Sequence, residues 1–116
     1  MFGWLKDETS EEEAPKPDLA DLRSQELAVV FKHSRSCPTS WAADKQVKTF
    51  IASHPAVPVY TILVRQDREL SQQIAALTGV RHESPQVILL RKGVAIASAS
   101  HQDVTADFLN HWVGSK

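Results

Sequence analysis

The chain has 116 residues, 13 of them basic and 14 acidic, for a formal net charge of −1, and a single cysteine. That length supports one domain around one modest core, and the balanced, scattered charge leaves no electrostatic footprint for nucleic acid. One cysteine makes no internal disulfide, no apolar run is long enough to span a bilayer, and Phe2-Gly3-Trp4-Leu5 is followed by acids instead of a secretory apolar segment, so a cytoplasmic protein with no membrane or nucleic-acid partner is expected.

Residues 1–17, with Glu11-Glu12-Glu13 and Pro15-Lys16-Pro17, read as an acidic, proline-bearing, solvated lead-in, and residues 18–116 as the folded domain. Ser10-Glu11-Glu12-Glu13 has the letters of a capping box, but no apolar run follows before Pro15. Asp18 to Arg23, with Leu19 and Leu22, reads as a short helix. Leu27-Ala28-Val29-Val30-Phe31 is a short apolar run rich in β-formers, and its length favours a buried strand. Ala43, Val47, Phe50 and Ile51 then make one apolar stripe of a helix that ends at Ser53-His54-Pro55. Val57 to Val64 predicts a second strand. Leu70, Ile74 and Leu77 predict a further helix, closed by Gly79.

A strand, helix, strand order makes the first two strands parallel neighbours. Gln86 to Leu90 and Val94 to Ala99, joined through Arg91-Lys92-Gly93, predict an antiparallel hairpin. A last helix, with Thr105 as N-cap, turns Phe108, Leu109, Trp112 and Val113 to the core. The expected architecture is α/β, a mixed four-stranded sheet with helices on its faces.

Cys37 stands where the first strand gives way to the first long helix, with Pro38 at a first-turn position that needs no N–H. Unsatisfied N–H groups and the positive end of the helix favour a thiolate there. Such sites lower a cysteine pKa from about 8.5 to roughly 3.5–7.5. Lys32 and Arg35 add positive charge nearby, and Ser40 or Thr39 offers a hydroxyl to the sulfur. The bland alternative is an inert buried cysteine.

The element order, with a cysteine opening the first crossover helix and a proline just before the hairpin, resembles the thioredoxin fold. Three stretches carry a closer likeness: Phe31-Lys32-His33-Ser34 followed by Cys37-Pro38-Thr39-Ser40, then Val80-Arg81-His82-Glu83-Ser84-Pro85-Gln86, then Ser100-His101-Gln102-Asp103-Val104-Thr105. From about Glu26 to Val113 the chain resembles the monothiol bacilliredoxins, small thioredoxin-like bacterial proteins linked to bacillithiol. The resemblance implies that Cys37 is the catalytic nucleophile and takes bacillithiol from mixed disulfides on client proteins. It implies an active-site loop of Arg35, Ser36, Pro38, Thr39 and Ser40, and a substrate-binding cis-proline loop of Glu83, Ser84 and Pro85 facing the thiol. Bacillithiol is then a co-substrate, no cofactor is tightly bound, and the partners are bacillithiolated proteins and a low-molecular-weight thiol. The chain departs from the family pattern in two places. Thr-Arg-Cys-Pro-Ile-Ser is usual where Arg35-Ser36-Cys37-Pro38-Thr39-Ser40 stands, and the acidic lead-in replaces an expected short N-terminal strand and helix.

His33, His82 and His101, with Cys37 and Glu83, match no compact ligand spacing, so no metal is expected. His33 is expected to pack or hydrogen-bond near the thiol loop, and His101 to be structural. His82 and Glu83 either hold the proline loop or touch ligand. Trp41 is either a partner contact or partly buried core. Two functions stand side by side: a monothiol thiol-disulfide oxidoreductase acting through Cys37 in redox homeostasis, with Ser40 in the place of a resolving cysteine, and a thioredoxin-like binding module whose Cys37 is only a regulatory modification site.

Overall fold

The computed structural model describes residues 18–114. The lead-in over residues 1–17, and with it any further N-terminal strand, lies outside the described residues. The elements run α1 (Leu19–Ser24), β1 (Ala28–His33), α2 (Pro38–Ser53), β2 (Val59–Leu63), α3 (Arg68–Thr78), β3 (Gln86–Arg91), β4 (Val94–Ser100), a 3-10 turn (His101–Asp103) and α4 (Ala106–Gly114). They form the mixed four-stranded sheet of a thioredoxin fold, in the order β2-β1-β3-β4. β1 pairs parallel with β2 and antiparallel with β3, and β3 pairs antiparallel with β4.

The central strands β1 and β3 are apolar on both sides because both faces of the sheet are covered. Val29 and Phe31 point to a core shared with Val47, Phe50, Leu109 and Val113 of α2 and α4, whereas Ala28 and Val30 point to a second core with Leu22, Ile62 and Ile74. β1 runs two residues beyond the apolar segment, through Lys32 and His33. That extension delivers the thiol loop to the carboxyl end of the parallel pair.

Local signals set the element ends. Gly79 caps α3 at φ 74°, its N–H donating to the Ala75 carbonyl. Lys92 and Gly93 have φ 51° and 83°, the paired positive values of a tight hairpin turn. A Cβ on Gly93 would sit 2.9 Å from the Arg23 Cα, so the turn also accommodates α1. Thr105 Oγ1 accepts the Phe108 N–H at 3.1 Å, the expected cap of α4.

Two expected core residues are not core. Ile51 is 39% exposed and Trp112 37% exposed. On α2 the buried positions are Ser40, Ala43, Val47 and Phe50, a spacing of three and four that leaves Ile51 a further ~100° around the helix. On α4 only Ala106, Leu109 and Val113 are buried, so the sheet is met by a narrower stripe than the apolar letters suggest.

Candidate active site

The first crossover begins where the sheet's parallel pair ends. The Val64 N–H donates to the His33 carbonyl at 3.0 Å, so the linkers leaving β1 and β2 start side by side. The chain then turns through Ser34, Arg35 and Ser36, with the Cys37 N–H donating to the Ser34 carbonyl at 3.2 Å. Cys37 is the N-cap of α2, with φ −107° and ψ 120°, and Pro38 opens the helix. The Ser34 N–H donates to Ser40 Oγ at 3.0 Å. Ser40, fully buried, therefore fastens the two ends of the loop that carries the thiol.

The Cys37 side chain is partly exposed. Its pKa lies below that of an ordinary cysteine, first because of the Ser40 backbone N–H, then the Thr39 N–H and hydroxyl, with partial burial opposing them. This is a thiol facing the open end of a helix, where the donors point outward. The hydroxyl acting on the sulfur is that of Thr39, while Ser40 Oγ accepts from the Ser34 N–H.

Lys32 is not part of this charge environment, contrary to the sequence expectation. It alternates to the opposite face of β1, where its ammonium donates to the Ser71 carbonyl at 3.1 Å and to His82 Nδ1 at 3.0 Å. The reason is the period of two along a strand. Phe31 and His33 stack on each other on the α2 side, 5.3 Å between ring centroids, and Lys32 lies between them in sequence but not in space. Burial, then the charges of Arg35 and Lys48, hold the His33 pKa down against the pull of Asp44.

The loop before β3 stands at the same end of the sheet. Lys32 pairs with Gln86 in register, which sets Pro85 level with His33. The Ser84–Pro85 peptide bond is cis, Pro85 is buried, and its carbonyl accepts the His101 N–H at 2.8 Å. Glu83 is held below the usual carboxylate range by the Ser100 hydroxyl first, and against the opposing effect of burial by the charges of His101, Arg81 and His82. The buried Gln86 amide donates to the Arg81 carbonyl at 2.9 Å and its carbonyl accepts the Glu83 N–H at 3.4 Å. His82 and Glu83 thus make the contacts that hold this loop. Ser84 Oγ is buried with no hydrogen-bond partner among the described residues.

Trp41 is 62% exposed, which removes the core alternative; its indole N–H donates to the Arg35 carbonyl. Two hollows flank the thiol loop. One, of about 270 Å³, is walled by His33 to Ser36 on one side and by Leu63, Arg65 and Gln66 on the other. The second, of about 340 Å³, lies among Arg35, Ser36, Pro38 and Trp41. Among the described residues no three His, Cys, Asp or Glu side chains gather to hold a metal ion.

Gln86, Arg65 and Gln66 belong to this region and were not singled out from sequence. Arg65 and Gln66 sit in a polar linker with no motif. The usable signal was topological, since ligands of parallel α/β folds gather beyond the carboxyl ends of neighbouring strands.

Comparison with known proteins agrees with this geometry. The family model described as monothiol bacilliredoxin BrxC matches residues 9–109. A solved structure described as a candidate oxidoreductase with a thioredoxin fold superposes with a TM-score of 0.72 at 28% identity, covering 90% of this chain and 85% of that one. A thioredoxin mutant from Halobacterium salinarum gives 0.67 at 19% identity, covering 86% and 85%. Thioredoxin-2 of a malaria parasite gives 0.66 at 12% identity, covering 78% and 82%. These last two show the fold alone.

Proposed function

The chain belongs to the monothiol bacilliredoxin family, and from that premise we propose that its thiol-disulfide exchange removes bacillithiol from protein mixed disulfides in a bacterial cytoplasm. The observation that carries the reading is Cys37, a partly exposed thiol capping α2 whose pKa the Ser40 and Thr39 N–H groups lower, with a hydroxyl at Ser40 instead of a second thiol.

The Cys37 thiolate attacks the bacillithiol sulfur of the mixed disulfide. A Cys37–bacillithiol disulfide forms, the bond between bacillithiol and client breaks, and the client leaves as a thiolate that takes a proton from water. Cys37 is oxidised and the client cysteine reduced. A second low-molecular-weight thiol then attacks the bacillithiol sulfur of the adduct, leaves with it as a disulfide, and returns the Cys37 thiolate. The client is aligned along the backbone of Glu83, Ser84 and Pro85, which stand level with the end of β1. Bacillithiol is the co-substrate.

The test follows client release and adduct mass over time with bacillithiol-modified and glutathione-modified forms of one client, for the native protein and Cys37→Ser. Native protein is expected to release the bacillithiolated client faster and to gain the mass of bacillithiol. Cys37→Ser is expected to do neither, because a serine hydroxyl carries no comparable anion at neutral pH. Release by Cys37→Ser would overturn the mechanism, and equal rates on both clients would overturn the bacillithiol preference.

A further inference from the structure

The hollow between the thiol loop and the β2–α3 linker has a chemistry that the exchange reaction by itself does not call for. It holds about 270 Å³ and is bordered by two guanidinium side chains, Arg35 from the thiol loop and Arg65 from the linker, with Gln66 and His33 as further polar groups and Leu63 as an apolar wall. Among the described residues no aspartate or glutamate lines it. Among the described residues no carboxylate forms an ion pair with Arg65. His33 adds no negative charge, and Ser36, the residue before Cys37, is part of the wall. The hollow therefore adjoins the loop that carries Cys37, one residue before the thiol.

Resting on the oxidoreductase reading, we infer that the hollow is a subsite for the carboxylate of the low-molecular-weight thiol carried on Cys37, with Arg65 as its specificity-determining residue. Guanidinium groups bind carboxylates through paired N–H donors. The linker reaches the thiol loop because the Val64 N–H bonds the His33 carbonyl at 3.0 Å and the turn is closed by the Asp67 N–H on the Leu63 carbonyl at 2.8 Å. Arg65 lies inside that closed turn, so its Cα is held at the rim. The subsite selects among thiols by charge and leaves the client protein to other surfaces.

The experiment measures the rate at which Cys37 acquires an adduct, by intact mass, from three symmetrical disulfides: glutathione disulfide, its fully esterified derivative, and 2-hydroxyethyl disulfide. The native protein is expected to favour the carboxylate form over its ester by about fivefold, the size of a well-placed exposed ion pair. In Arg65→Gln that ratio is expected to fall to near one, while Arg68→Gln, which removes an equal charge outside the hollow, keeps it. Loss of the ratio in both variants would replace the subsite with general electrostatic steering and overturn the inference, as would a native ratio of one. Absence of any adduct from all three disulfides, in a protein that still takes bacillithiol from its client, would overturn the subsite alone; absence of both would overturn the oxidoreductase reading and the subsite with it. Adducts from all three at equal rates would overturn the subsite alone.

Discussion

The Lys32 ammonium, shut away from water, donates to His82 Nδ1 at 3.0 Å. Its other hydrogen bond goes to the Ser71 carbonyl at 3.1 Å, and among the described residues no carboxylate pairs with it. One side chain thus ties β1 to α3 and to the loop before β3. The contact leaves the His82 proton on Nε2, because only an unprotonated Nδ1 accepts from an ammonium.

This buried cation makes stability depend on alkaline pH. Burial lowers the Lys32 pKa from 10.5 to about 8. Between those values the unfolded chain holds more protons than the folded one, so stability is expected to rise as pH climbs from about 8 towards 10.5. Lys32→Met, similar in length and without the charge, is expected to flatten that rise and to be equal in stability or up to about 1–3 kcal/mol more stable at neutral pH. Denaturant midpoints of both proteins across this range check it. Parallel curves would refute it.

The Cys37 thiol is expected to be alkylated with a pH midpoint below the free-cysteine value of about 8.5. Thr39→Val removes a hydroxyl that helps lower the pKa and is expected to raise the midpoint. Lys32→Met is expected to leave it in place, since that ammonium lies on the other face of the sheet. A midpoint that follows Lys32 and ignores Thr39 would show that the helix terminus is not what activates the sulfur.

Ser40 is expected to matter in two separable ways. Ser40→Ala leaves the Ser34 N–H without its partner and costs about 1–2 kcal/mol by denaturant titration, while keeping the backbone N–H that lowers the thiol pKa. Ser40→Cys introduces a second sulfur on the turn that Cys37 caps. That protein is expected to lose its bacillithiol adduct faster and to accumulate a form two hydrogens lighter, the internal disulfide. An adduct as long-lived as in the native protein would show that a thiol at this buried position does not reach Cys37.

The neighbours Phe50 and Ile51 separate core from surface on one helix. Phe50 is fully buried and Ile51 is 39% exposed. Phe50→Ala is expected to cost about 3–5 kcal/mol. Ile51→Ala is expected to cost under about 1 kcal/mol. Similar losses at both sites in chemical denaturation would contradict the observed packing of α2.

The loop before β3 was legible in part. Its proline and its place ahead of a strand stand in the letters, but the staple that shapes it, the Gln86 amide on the Arg81 carbonyl at 2.9 Å, does not. A buried glutamine inside a strand looks like any polar interruption until its partners are known. The same holds for Glu83, whose contact with Ser100 joins residues brought together only when β3 pairs with β4.

What the sequence by itself determined is what short-range chemistry controls. Strand and helix order follow from runs and periods of apolar residues, the end of α3 from Gly79, the hairpin from Lys92 and Gly93, the start of α4 from Thr105, and the activated position of Cys37 from the strand-to-helix switch before Pro38. Tertiary structure alone decided which face each residue met. The alternation of β1 sends Lys32 away from the thiol and His33 towards it, and the parallel pairing of β1 with β2 carries Arg65 to the rim of the thiol loop. Packing likewise selected three- and four-residue steps on α2 and left Ile51 outside. Local torsions and caps act over a few residues, whereas register and helix rotation are settled by burying two faces of one sheet at once, a condition that no single segment contains.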